Sequence, residues 1–206
     1  MNKTLLFLCL LILIGGGACT KTPTLAPLGP DELILAFGDS ITSGAGANPD
    51  ESYPAQLEKL IGHKVINAGV SGEMVEQGVE RLPKSIDEQR PSIAIICHGG
   101  NNFLQGQDDG HVKENIRSMI QIARARNVQV VLVGVPKPGL ILRDAAIYGE
   151  LAKEFSVPYR KNVLSRILSN PALKADQIHP NAEGYTVFAQ AIAELLVNRG
   201  AIKMTT

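Results

Sequence analysis

The chain has 206 residues, 45% of them hydrophobic and only 4% aromatic, enough for one globular domain that buries its own core. Twenty Lys and Arg balance twenty Asp and Glu and no basic cluster occurs, which excludes a nucleic-acid partner requiring a basic face. No internal repeat of solenoid or propeller length is present.

The first element in chain order is a targeting segment. Lys3 supplies a positive charge, Leu5 to Ile14 form an unbroken apolar run, and Gly15-Gly16-Gly17-Ala18-Cys19 close it with small residues. Such a run is shorter than the roughly 20 residues that span a bilayer, so residues 1–18 read as an export signal peptide. A cysteine directly after small residues resembles the lipobox of bacterial lipoproteins, although Gly16 stands where such boxes usually carry Leu. The resemblance makes Cys19 the expected lipidation site; the alternative is ordinary signal cleavage with Cys19 incidental. Residues 19–31, rich in proline and without apolar periodicity, read as a tether, and residues 32–206 as the folded domain. Cys9 leaves with the signal, so Cys97 is alone in the folded body and no intrachain disulfide framework is expected.

Short apolar runs then alternate with helical patterns. Leu33 to Phe37, Lys64 to Asn67, Ile93 to Cys97 and Val128 to Val135 have strand length and near-continuous apolar character, as in a parallel sheet covered on both faces. Val112, Ile116, Met119, Ile120 and Ala123 share one helical face after Asp108-Asp109. Tyr185, Phe188, Ala189, Ile192, Leu195 and Leu196 do the same near the C-terminus. Pro83 is expected to split the helical segment from Glu73 to Gln89 in two. The βαβαβαβ order predicts a three-layer α/β/α sandwich around a central, mostly parallel sheet.

In such sheets ligands bind beyond the carboxyl ends of the strands. The first strand leaves through Gly38-Asp39-Ser40, where Asp39 or Ser40 can cap the next helix or Ser40 can present a nucleophilic hydroxyl. No G-x-S-x-G occurs, which excludes the nucleophile elbow of the α/β-hydrolases. A serine hydroxyl needs an imidazole to take its proton and works best when a carboxylate orients that imidazole. Asp176-Gln177-Ile178-His179-Pro180-Asn181 offers both, with a three-residue step that can fold Asp176 back onto His179 and an Asn181 placed to cap the last helix. The apolar run IAIIC ends in His98-Gly99-Gly100-Asn101-Asn102, more backbone freedom and hydrogen-bonding capacity than a turn requires. Acyl transfer to Ser40 would create an oxyanion; Asn101 can donate to it, Gly99 and Gly100 let backbone pass close to a bound acyl group, and Gly72 adds a backbone donor.

Taken together, GDSIT, NAGVSG, GGNN and DQIHPN resemble the four ordered blocks of the SGNH hydrolases, or GDSL-type esterases and lipases, over nearly the whole mature domain. The likeness extends to their bacterial periplasmic thioesterase, lysophospholipase and arylesterase branch, as in NAGVSG followed by QGVERLP. It implies Ser40 as nucleophile, His179 as base, Asp176 as orienting carboxylate, and an oxyanion hole of the Ser40 amide, Gly72 and Asn101. The third block usually reads Gly-x-Asn-Asp; here Asn102 replaces the carboxylate. Asn102 is expected to face away from Asn101, Cys97 to lie in the core, and His98 to face the loop or stand behind the site. Adjacent strand residues point to opposite faces, so Cys97 and His98 cannot pair as nucleophile and base. His63 and His111 lack the spaced partners of a metal site, and no metal or other cofactor is implied.

The expected enzyme is a serine esterase acting on carboxylic esters or thioesters with short to medium acyl chains, lysophospholipid among them. It is expected at the periplasmic side of a bacterial envelope, lipid-anchored to a membrane, with the outer membrane favoured. Pro136 to Leu142 can line an acyl pocket or serve as an ordinary connection. Two alternatives stand beside this reading: a carbohydrate O-deacetylase, disfavoured by the absence of Trp, and a non-catalytic binding protein of the same fold.

Overall fold

A computed structural model of the protein describes residues 22–202. The expected signal peptide and Cys19 lie outside the described residues. Five parallel strands form the central sheet: β1 (Ile34–Gly38), β2 (Val65–Gly69), β3 (Ile93–Cys97), β4 (Gln129–Val133) and, after an antiparallel hairpin of β5 (Pro136–Lys137) and β6 (Arg143–Asp144), the short β7 (Tyr159–Arg160). Their order is β2-β1-β3-β4-β7. Every residue of β1 and β3 is buried, as their continuous apolar character requires. The four expected strands are present within a residue or two. β7 was not expected, because two residues leave no periodicity to read.

The helices are α1 (Ser40–Ser43), α2 (Tyr53–Ile61), α3 (Val75–Gln89), α4 (Gly100–Leu104), α5 (Asp109–Ala125), α6 (Ala146–Phe155), α7 (Val163–Ser169) and α8 (Ala182–Asn198). α2 packs with α8 and α8 with α7, while α3 packs with α5 and α5 with α6, giving the helical layers of the sandwich. α5 buries the five residues expected of it, and Asp108 caps it by accepting from the His111 N–H at 3.2 Å. α8 buries the expected apolar face and also Gly184 and Ala191.

Pro83 does not split its segment: α3 runs unbroken with the proline inside it. The missing N–H would have bonded the Val79 carbonyl, and both residues lie on the half-exposed side of the helix. Losing that bond costs about 3 kcal/mol. Leu82, directly before the proline, and Ile86, one turn after Leu82, are both buried in the core. At roughly 1.5–3 kcal/mol each, their burial offsets the lost bond and keeps the axis continuous.

Residues 22–31, within the expected tether, begin to pack before the first strand. Leu25 is buried, its N–H donates to the Arg199 carbonyl at 2.8 Å, and the Leu28 N–H donates to the Ala201 carbonyl at 2.8 Å. Gln129, the first residue of β4, accepts from the Ala26 N–H at 2.6 Å. The segment is therefore fixed where the strands begin, at the opposite end of the sheet from their exits.

β1 is followed in sequence by β2 on one side and, after α3, by β3 on the other. The sheet thus reverses its direction of growth at β1, and a crevice opens between the exits of β1 and β3. Register sharpens this. Gly38 lies opposite Gly69 on one side and Cys97 on the other. The loops starting at Asp39, Val70 and His98 consequently emerge at one level.

Candidate active site

Ser40 opens α1, with Asp39 as the cap that accepts from the Ile41 N–H at 3.2 Å. Both sequence alternatives for this exit are realised at once: the aspartate caps, and the serine is free to face the crevice. The Ser40 Oγ lies 2.9 Å from His179 Nε2. His179 Nδ1 lies 2.8 Å from Asp176 Oδ2. The other carboxylate oxygen of Asp176 accepts from the Ile178 and His179 N–H groups, each at 2.8 Å. This closed turn is what folds the three-residue step back on itself. Burial raises the Asp176 pKa, but the His179 hydrogen bond and the two backbone donors outweigh it and hold the carboxyl below its ordinary value. A carboxylate only accepts, so Nδ1 carries the imidazole proton and Nε2 is left to accept from the Ser40 hydroxyl.

The loop bearing His179 is held at both ends. The Ala175 N–H donates to the His179 carbonyl at 3.0 Å. Asn181 caps α8 by accepting from the Gly184 N–H at 2.9 Å and also donates to the Ala172 carbonyl at 2.8 Å, the capping role expected of it.

Gly72, with φ of +80°, sits between two ties. Its predecessor Ser71 hydrogen-bonds Ser43 of α1 at 2.9 Å, and its successor Glu73 accepts from the Asn101 side-chain NH₂ at 2.9 Å through its backbone carbonyl. The Gly72 and Ser40 N–H groups have no acceptor among the described residues. Asn101 uses one of its two side-chain hydrogens on Glu73 and keeps the other. Of the two glycines before it, Gly100 lines the crevice beside Ser40. Gly99 instead makes a turn with φ of +111° beneath Tyr148, where a Cβ would lie 2.7 Å from the tyrosine hydroxyl.

Asn102 does face away from Asn101. It is fully buried, accepts from the Val75 N–H at 3.0 Å, and donates to Glu76 at 3.2 Å and Gln107 at 2.7 Å. It supplies an acceptor to the first turn of α3, where the helix itself provides none. Cys97 lies in the core, and burial pushes its thiol well above the ordinary value. Of the two positions open to His98, the structure shows the one behind the site: its side chain is wholly buried and hydrogen-bonds the Glu73 carboxylate at 3.0 Å.

A cleft of about 470 Å³ contains Ser40, Asn101 and His179 in its lining, within the range typical of small-molecule sites. Its walls are mainly apolar. Pro136, Pro138, Gly139 and Leu142 contribute from the β5–β6 hairpin, so the expected pocket-lining segment does reach it, while Leu140 and Ile141 at the tip face solvent. Leu104 and Ile178 complete the wall, and Lys174 brings a cation with no carboxylate partner among the described residues. Leu104 and Lys174 carried no signal in sequence, since a lone Leu or Lys outside a motif is indistinguishable from ordinary surface, and Ile178, although inside DQIHPN, was read only as a spacer between Asp176 and His179.

Comparison with known proteins agrees with this geometry. Residues 36–187 match the family model described as GDSL-like lipase/acylhydrolase. The chain belongs to that family. Among GDSL relatives, it is 30% identical over 173 residues to the thioesterase 1/protease 1/lysophospholipase L1 of Escherichia coli, covering 80% of this chain and 83% of that protein. It is 28% identical over 177 residues to an arylesterase of Vibrio mimicus, covering 81% and 88%. A crystal structure of TesA superposes with a TM-score of 0.72 at 26% identity, over 80% of this chain and 98% of the other. This GDSL protein is an ester-bond hydrolase of α/β fold.

Proposed function

We propose that the protein is a serine esterase that cleaves carboxylic esters or thioesters of short to medium acyl chains through an acyl-enzyme. The observation that carries this reading is the unbroken Ser40–His179–Asp176 chain of hydrogen bonds opening on an apolar cleft. Ser40 Oγ attacks the carbonyl carbon as its proton passes to His179 Nε2, and Asp176 balances the imidazolium. The tetrahedral oxyanion is held by the Ser40 and Gly72 N–H groups and the free Asn101 N–H. Collapse expels the alcohol or thiol, which takes the proton from His179. Water then repeats the sequence, with His179 again as base, to release the acid and restore Ser40.

Apolar walls suit an acyl chain better than a sugar ring, whose recognition draws on stacking aromatics and dense polar contacts. Hydrolysis of a graded series of nitrophenyl esters and of matching acyl thioesters is the direct test, run beside acetate release from acetylated oligosaccharides. Turnover is expected to rise from acetyl toward medium chains. Activity confined to acetylated sugars would replace this reading with the O-deacetylase.

We also propose that the enzyme is held at the bacterial envelope by acylated Cys19. Leu25 is fixed where the strands begin, and the cleft lies at their exits. Six residues extend at most about 20 Å, so an anchor at Cys19 would attach the domain at the end opposite the cleft. Full-length protein is expected to partition with membranes and Cys19→Ser to be soluble with unchanged turnover. An unmodified N-terminus by mass spectrometry would reject the anchor.

A further inference from the structure

Behind the oxyanion donors lies a charged cluster that the proposed chemistry does not use. Glu73 is buried, with its side chain only 5% exposed. Its carboxylate accepts from Arg81 Nε at 2.7 Å on one oxygen, and from Arg81 Nη2 at 2.7 Å and His98 Nε2 at 3.0 Å on the other. Each partner is itself fixed. Arg81 also donates to the Ala68 carbonyl at 3.0 Å and lies over the Phe37 ring, 4.1 Å from its centroid. His98 Nδ1 accepts from the Gly99 N–H at 3.0 Å, which leaves the imidazole proton on Nε2, where it donates to Glu73. The Tyr148 hydroxyl donates to the His98 carbonyl at 2.7 Å. Burial raises the Glu73 pKa, yet Arg81 and His98 together bring it down to about 2, so the carboxylate stays ionised.

Such a cluster is poorly explained by stability alone. Desolvating the ions costs several kcal/mol each, and apolar residues of the same volume commonly serve a core as well or better. What charged, bidentate hydrogen bonds add is direction. Here the directed residue is the one through which the oxyanion donors are joined: Glu73 follows Gly72 in the chain, and its carbonyl holds the Asn101 side chain. We propose that Glu73 is a positioning residue that sets the spacing of the Gly72 N–H and the Asn101 amide, its carboxylate clamped between Arg81 of α3 and His98 at the exit of β3. The inference rests on the oxyanion roles given above to Gly72 and Asn101. Without the clamp, the loop between β2 and α3 can turn about Gly72, and a donor displaced by about 1 Å costs up to about 10²-fold in rate.

The test is a cycle of Glu73→Gln and Asn101→Ala, read as kcat and KM on one nitrophenyl ester and as inhibition by a trifluoromethyl ketone, whose adduct with serine carries an oxyanion. Gln keeps the size of the side chain but must turn an NH₂ toward Arg81 or His98. Glu73→Gln is expected to lower kcat by about 10- to 10²-fold, with KM changed by less than about 3-fold, and to weaken the ketone in parallel. In the Asn101→Ala background the same change is expected to cost clearly less than it does alone, because one of the two donors it positions is gone and only Gly72 remains. An unchanged kcat, a full multiplicative loss in the double variant, or unaltered ketone affinity would each overturn the proposal. If Glu73→Gln does not fold, Arg81→Lys, which keeps the charge but loses the bidentate fork, goes through the same cycle. A loss of about 3- to 10-fold, again smaller beside Asn101→Ala, is then expected, and no loss overturns the proposal. An Asn101→Ala enzyme with normal kcat would sink the oxyanion assignment itself, whereas a crippled Asn101→Ala beside a silent Glu73→Gln would sink only the positioning role.

Discussion

Ser40→Ala is expected to lower kcat/KM on a nitrophenyl ester by about 10⁴-fold or more, and His179→Ala by a similar amount. The reason is in the connectivity. The Ser40 hydroxyl bonds only His179 among the described residues, and His179 Nε2 bonds only Ser40, so neither alone retains a route for the proton. The double variant is expected to be no worse than the poorer single one, because both changes disable the same step. Asp176→Ala should cost less, since it removes the orienting partner and leaves base and nucleophile in place. The fold should survive these changes: Asp176 is the most exposed of the three, and Ser40 Oγ ties no element of the core. Fully additive losses in log rate would show that His179 does not serve Ser40, and undiminished turnover in Ser40→Ala would remove the nucleophile.

The two adjacent carboxamides are expected to fail in different ways. Asn101→Ala should lower kcat by about 10² to 10³ with little change in KM, because its bond to the oxygen strengthens as charge develops in the transition state. Asn102→Ala should instead cost stability, about 1–3 kcal/mol, by leaving the Val75 N–H buried and without an acceptor. Asn102→Asp, although it restores the residue usual in this family, places a carboxylate against Glu76 and removes the hydrogen given to Gln107. It should destabilise as well. Steady-state kinetics beside thermal unfolding separates the pair; a crippled Asn102→Ala and a normal Asn101→Ala would mean that the oxyanion donor is Asn102.

Why the three members of the hydrogen-bonded chain were legible in sequence follows from where they sit. Each lies at an element boundary marked by its own punctuation: Gly38-Asp39 ahead of Ser40, the Asp176 turn ahead of His179, and Asn181 at the start of α8. Strand assignments followed from the same physical reason that the strands are buried, namely that β1 is apolar up to its closing Gly38 and β3 is apolar throughout. Pro83 misled because its local cost is real and only the tertiary packing of Leu82 and Ile86 offsets it. Glu73 went unread because its meaning is a contact with His98, 25 residues beyond it, and Arg81 because its partner is that same Glu73; an isolated Glu or Arg ordinarily faces water. Likewise the cleft wall draws on the β5–β6 hairpin, α4 and the loop before α8, a convergence set by topology and not by any local pattern.

The claim that Ser40 is activated by His179 is tested most directly by covalent capture. After brief exposure to a fluorophosphonate, intact mass and peptide mapping should show one adduct, on Ser40, with the labelling rate sharply reduced in His179→Ala. An adduct on another residue, or equally rapid labelling of Ser40 without His179, would contradict it.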